Sequence, residues 1–245
     1  MRLLAKLMMM VLATTLMATT AHTQSAPTQL ATPKPFTATY EVSYRGMRAG
    51  TLTFKLSRDP ATGHYIYETT ADPSLLARFV VSSAASERSI LEIGPGGVRP
   101  LDWQLDDGRS GTAKDGKLTF DWSSNVATGK IEDEKIELGL EPGLQDRLSI
   151  QISVVTSLLR GQEPGTIPLI DDNRIKRYTY VAKELAVIDT QLGKLETILY
   201  ESTREGSNRQ SRFWMVPKME YIAARAEQIR KGKVETVMVL TSFEH

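Results

Sequence analysis

Residues 36–56 read FTATYEVSYRGMRAGTLTFKL. Phe36, Ala38, Tyr40, Val42 and Tyr44 take every second position, with Thr37, Thr39, Glu41 and Ser43 between them. Successive side chains of a strand point to opposite faces, so this spacing predicts a half-buried strand over 36–44. Arg45–Gly50 supplies a turn, and Leu52, Phe54 and Leu56 resume the alternation, which completes a hairpin. The same grammar runs to the end of the chain. Asp59–Gly63 turns into a strand around Tyr65–Thr70, and Gly94-Pro95-Gly96-Gly97 separates Arg88–Ile93 from Val98–Leu105. Lys114-Asp115-Gly116-Lys117 carries the Asp-Gly signal of a two-residue turn, and Asn125–Gly129 reads as another turn. Later strands are predicted over 177–181, 187–190, 195–202, 211–216, 221–229 and 234–243. About a dozen short strands joined by hairpins predict a mainly β protein, an antiparallel sheet curled into a half-open barrel.

Two segments leave this pattern. Leu144–Arg160 (LQDRLSIQISVVTSLLR) places Leu144, Leu148, Ile152, Val155 and Leu159 at steps of three or four, after Pro142-Gly143 and before Gly161. That is a central amphipathic helix with a start and a stop. Asp72–Phe79 predicts a shorter helix, with Asp72 as its N-cap and Pro73 at its first helical position.

The N-terminus reads as an address. Arg2 and Lys6 precede a mostly apolar run, Leu7–Met17, and small residues follow at Ala18–Ala21. This is the layout of a secretory signal peptide, with an apolar part too short to span a bilayer. We expect residues 1–23 to be cleaved, 24–35 to form a Pro/Thr-rich flexible leader, and 36–245 to form a single β-barrel-like domain. No later stretch is long and apolar enough for a transmembrane segment. The expected location is the periplasm, without a lipid anchor, because the chain has no cysteine to carry one.

The composition excludes whole classes of chemistry. Zero cysteines remove thiol nucleophiles, disulfides, iron–sulfur clusters and cysteine zinc sites. A formal charge of +1 gives no reason to expect nucleic acid as a partner. Of three histidines, His22 lies at the cleavage zone and His245 ends the chain, so His64, beside a turn, is the one candidate base. Ile93–Gly97 lacks the Lys and Ser/Thr of a phosphate loop. Asp106-Asp107, Asp171-Asp172 and Glu132-Asp133-Glu134 are dense acidic spots, but neighbouring acids on a strand face opposite ways and build no catalytic pair. We therefore expect no enzyme, no cofactor and no metal. Asp146 and Arg147 stand at the helix start as helix-anchoring candidates. The large side chains Trp103, Phe120, Trp122 and Trp214, with Leu148, Ile152 and Val155 of the helix, are the candidates for lining an apolar pocket.

Four stretches carry a resemblance. FTATYEVSYRGMRAGTLTFKL, LQDRLSIQISVVTSLLR with its Gln145-Asp146 pair, DTQLGKLETILYESTR around Gly193, and RFWMVPKMEYIAARAEQIRKGKVETVMVLTSF with Trp214 and Pro217 follow one another as in domain-of-unknown-function family 3108. The family consists of exported bacterial proteins. The resemblance implies a curled antiparallel sheet with a central helix, similar in outline to the lipoprotein-carrier folds of the bacterial envelope. It brings no catalytic residue. Where the family's pattern has an acid after the tryptophan, this chain has Met215.

The expected function is thus a soluble periplasmic cell-envelope protein that binds an apolar or lipid-like envelope component. The alternatives are an envelope structural or protein-interaction module with a filled core, and a carboxylate-based hydrolase acting on cell-wall or glycan material.

Overall fold

The computed structural model describes residues 30–75, 77, 82, 84–109, 111 and 114–245. The expected signal peptide and most of the leader lie outside these residues. Structure begins where the alternation begins. Phe36–Tyr44 forms strand β1, and Phe36, Ala38 and Tyr40 are buried while the residues between them are not.

The first meander continues through β2 (Met47–Arg58), β3 (Tyr65–Pro73), β4 (Ser86–Gly94), β5 (Gly97–Asp106), β6 (Gly116–Asp121), β7 (Val126–Ile131) and β8 (Glu134–Gly139). Helix α1 (Ser149–Leu159) follows. The second meander is β9 (Gly165–Asp171), β10 (Arg174–Thr190), β11 (Gly193–Arg204), β12 (Arg209–Val216), β13 (Ile222–Arg230) and β14 (Lys233–Glu244). The last strand pairs antiparallel with the first, from Thr37 opposite Glu244 to Tyr44 opposite Thr236. Among the described residues all 14 strands therefore belong to one antiparallel sheet, whose free edges are β8 and β9.

The sheet curls so that its two ends approach without pairing. Ile170 of β9 packs with Trp103, Leu118, Phe120 and Ile136 of the opposite wing, and with Leu140 and Leu144 of the chain that links the wings. Gln145 closes the seam. Its N–H donates to the Pro168 carbonyl at 2.9 Å, and its own carbonyl accepts from Ile170 N–H at 3.0 Å, a single parallel bridge onto β9.

Several local expectations are corrected. The helix starts at Ser149, because Gln145 is spent on β9 and Asp146 caps the turn behind it. Asp72 and Pro73 end strand β3, opposite Thr51 and Gly50; part of that predicted helix lies outside the described residues. The two runs at 177–181 and 187–190 are one strand, β10, broken in register by a bulge between Ala182 and Leu185. Gly116 lies within β6, buried against the Trp103 ring, so Asp115-Gly116 is not a two-residue turn. Glu132-Asp133 makes that kind of turn instead, between the paired Ile131 and Glu134. Gly129 sits inside β7 at φ +154°, where a Cβ would collide with the Lys117 carbonyl.

The edge strand β8 is protected as edges commonly are. Its Lys135 and Glu137 are exposed and pair with each other at 2.9 Å.

Candidate functional site

The helix is fixed by the residues just before it. The Asp146 carboxylate is 1% exposed. Its Oδ1 accepts the N–H groups of Leu148 and Ser149, each at 2.8 Å, and its Oδ2 accepts the Ser89 hydroxyl at 2.6 Å. In return the Asp146 N–H donates to Ser149 Oγ at 2.9 Å. This reciprocal arrangement satisfies donors that every helix leaves open at its first turn, and it ties the helix to β4. Burial pushes the Asp146 carboxyl above the usual aspartate range, against the pull of these hydrogen bonds.

Arg147 points the other way. Its guanidinium lies 3.3 Å from Asp171 and 3.6 Å from Asp172, and stacks over the Trp103 ring at 5.6 Å. Lys176 holds the same two acids at 2.6 and 2.7 Å. Asp146 and Arg147 thus anchor the start of α1 to both wings of the sheet, by a cap on one side and an ion-pair cluster on the other.

Glu87 completes this region, accepting the Trp103 indole N–H at 2.7 Å. Burial raises its carboxyl above the usual glutamate value of 4.5, opposed by the Trp103 hydrogen bond and reinforced by the neighbouring Asp146. A carboxyl raised on folding binds its proton more tightly folded than unfolded, so it costs stability as the pH rises through that window. Glu87→Gln keeps an acceptor for Trp103 and removes the charge. The variant is expected to be more stable than wild type at pH 7, with the advantage fading as the pH falls toward the unfolded value. Urea unfolding at pH 7 and pH 5 checks this, and an advantage that grows on acidification would contradict it.

Between α1 and strands of both meanders lies a cavity of about 390 Å³. Ile150, Ile152, Val154 and Val155 form its helical wall, and Phe36, Tyr40, Phe54, Tyr67, Tyr180, Phe213, Met215 and Met238 are among the strand residues facing it. The Tyr40 hydroxyl donates to the Ala223 carbonyl at 2.9 Å, and the Tyr67 hydroxyl to Gln151 Oε1 at 3.1 Å. Burial raises the phenols of Tyr40, Tyr67 and Tyr180, so they stay neutral donors. Arg147 is the one ionised side chain among the described lining residues, and no carboxylate is among them.

Of the residues proposed for a pocket, the structure brings Ile152 and Val155 to this cavity. Trp103 and Phe120 are packed solid in the opposite wing, with Trp122 against them. Leu148 is buried among residues of β1–β5, β13 and β14 and is not among the residues lining the space. Trp214 lies under the Arg225 guanidinium, 5.6 Å from ring to cation, while its neighbours Phe213 and Met215 face the cavity. Tyr40 and Tyr67 were missed, although the alternation of β1 already placed Phe36, Ala38 and Tyr40 on one face.

The acidic spots serve the loops. Asp106, Asp107 and Asp115 come within 4.8 Å of one another, but each accepts a backbone N–H of the same loop, from Gly108, Arg109 and Asp107 respectively. Asp171 and Asp172 are engaged by Arg147 and Lys176. His64 follows a turn in which Asp59 accepts the Thr62 hydroxyl and the Ala61 N–H.

The family described as "Protein of unknown function (DUF3108)" matches residues 39–239, nearly the whole sheet. The chain belongs to this family. A solved β-barrel-like protein of the domain of unknown function DUF1849, from Brucella abortus, shares the DUF3108 fold seen here. It aligns at TM-score 0.53 and 11% identity, over 87% of this chain and 98% of its own. A Bacteroides fragilis protein with a YmcC-like fold aligns at TM-score 0.33 and 8% identity, over 87% and 97%. No curated relative matches the chain.

Proposed function

We propose that this DUF3108 protein is an exported, periplasmic carrier that holds an apolar or lipid-like envelope component between α1 and the curled sheet, and that it is not an enzyme. The observation that carries the reading is the cavity itself. Its roughly 390 Å³ fall within the range of about 300–1,000 Å³ typical of small-ligand sites. A lining of aliphatic and aromatic side chains with neutral phenols suits an alkyl chain or ring. Arg147, the one ionised side chain among the described lining residues, is already paired with Asp171 and Asp172, so the cavity offers its ligand apolar contacts and neutral phenols. The signal-like N-terminus supports export. The absence of a carboxylate among the described lining residues gives the hydrolase reading nothing to act with there.

Lauric acid, titrated below its micelle concentration, is a suitable probe. We expect saturable one-to-one binding with a negative heat-capacity change, the mark of apolar burial. Ala226 faces the cavity from β13. Ala226→Phe fills the space and is expected to weaken binding by about tenfold or more, the equivalent of about 1.4 kcal/mol. Binding that is absent, or indifferent to this substitution, would overturn the reading.

A second reading rests on β10. β9 pairs only with Arg174–Tyr180, so among the described residues Val181–Thr190 have β11 on one side and no strand on the other. Leu185 and Val187 on this free edge are 81% and 64% exposed. A bare edge of backbone donors and acceptors with apolar side chains fits an extended segment of an envelope protein, added as a further strand. A photocrosslinker at Leu185 should then capture one protein in stoichiometric yield in vivo, and Ala186→Pro should abolish the capture; crosslinks that survive Ala186→Pro would contradict strand addition.

A further inference from the structure

Helix α1 has a second, polar wall. Ser153, Thr156, Ser157 and Arg160 face the Pro95–Val98 turn and Gln145 across a pocket of about 320 Å³. It shares no lining residue with the apolar cavity. Two of its lining residues each carry a buried polar atom with no hydrogen-bond partner, Gln145 Oε1 and Thr156 Oγ1. The residues that carry them are 0% and 2% exposed. The Gln145 amide is oriented by its nitrogen, which donates to the Val98 carbonyl at 2.9 Å and the Gly143 carbonyl at 3.0 Å. Val98 and Gly143 also line the pocket, so the Gln145 amide is held beside it with its oxygen unpaired. Buried polar groups are nearly always paired, and leaving one unpaired costs free energy, so two in one pocket call for an occupant.

The surroundings say what kind of occupant. Arg160 is the one ionised side chain among the described lining residues. It is turned onto neutral carbonyls, those of Ala31 at 3.0 Å, Pro95 at 3.4 Å and Gly94 at 3.1 Å. It also sits at the C-terminus of α1, where its charge is balanced by the negative end of the helix dipole. With no carboxylate to hold a cation and no uncommitted positive charge to attract phosphate, the wall is made of amides, hydroxyls and carbonyls. That is the chemistry that recognises neutral hydroxyl groups.

We propose that this pocket binds one ring of a carbohydrate, with a sugar hydroxyl donating to Gln145 Oε1 and a second exchanging a hydrogen bond with Thr156 Oγ1. The ring comes either as a free monosaccharide or as one unit of an envelope glycan. The site is independent of the apolar cavity, so either can fail without the other.

The test is a titration of the isotope-labelled protein with glucose, with N-acetylglucosamine and with the tetrasaccharide of N-acetylglucosamine, followed by amide NMR shifts. Saturable shifts at Gly96, Gly97, Ser153, Ser157 and Gln162 are expected with at least one of the three. Equal affinity for the monosaccharide and the tetrasaccharide assigns the site to a single free ring. A tetrasaccharide that binds at least ~10-fold tighter assigns it to a glycan chain. Thr156→Val preserves shape and removes the hydroxyl, and is expected to weaken binding about 3- to 10-fold, while Thr156→Ser restores it. No saturable shift with any of the three sugars would overturn the proposal. So would binding that Thr156→Val leaves unchanged, or a high-resolution structure from sugar-soaked crystals in which one ordered water alone bridges Gln145 and Thr156.

Discussion

Trp103→Ala is expected to destabilise the protein by about 4 kcal/mol, in line with the cost of truncating a large buried aromatic. The side chain is 1% exposed and lies at the centre of the wing formed by β5 to β8. Its loss also removes the indole N–H from the half-buried Glu87 and the ring beneath Arg147. Gly116 has already been kept small to make room, since a Cβ there would lie 2.5 Å from the indole. Trp103→Phe separates packing from polarity. It refills much of the void yet leaves Glu87 without its donor, and about 2 kcal/mol should be lost. Urea unfolding measures both values. A loss below about 1 kcal/mol for the alanine variant would mean that this wing is not the stable core described above.

Asp146→Ala is the second large effect, expected at about 3 kcal/mol. It strands the N–H groups of Leu148 and Ser149 and the hydroxyl of Ser89 in a buried site. Removing a helix cap costs about 0.5–2 kcal/mol, and a buried charge-assisted hydrogen bond adds about 1.5–3 kcal/mol, part of which is returned because burying the carboxylate was itself unfavourable. Asp146→Asn should be nearly neutral. Its amide oxygen can accept both N–H groups and its nitrogen can donate to Ser89, with no charge to bury. The two variants should also differ in lauric acid binding, because the cap holds the helical wall of the cavity. A loss for Asn as large as for Ala would show that the charge, rather than the cap, holds the helix.

The alternation of β1 was legible because one face of that strand meets an apolar interior and the other does not, and the same contrast predicted most of the sheet. It failed at β10, where the extra residue of a bulge shifts the phase between Ala182 and Leu185, so that one long strand reads as two. The helix was legible as a helix but not in its start. Leu144 and Leu148 extend the apolar stripe, yet Gln145 is bound to β9, a contact between residues far apart in sequence that no local pattern records. The Asp146–Arg147 pair was found as an anchor from its position alone. The cavity was misassigned because size guided the choice of tryptophans. Neighbours on a strand face opposite ways, so with Phe213 and Met215 inside, Trp214 had to be outside. The unpaired Gln145 and Thr156 atoms could not be found from sequence, because an unmade hydrogen bond is a property of packing.

The carrier reading is tested most directly by native mass spectrometry of the protein released from the cells that produce it, wild type beside Ala226→Phe. The wild-type chain should carry a non-covalent apolar ligand that is lost on denaturation, and the variant should be bare. A bare wild-type chain, or the same adduct on both proteins, would contradict a ligand held between α1 and the sheet.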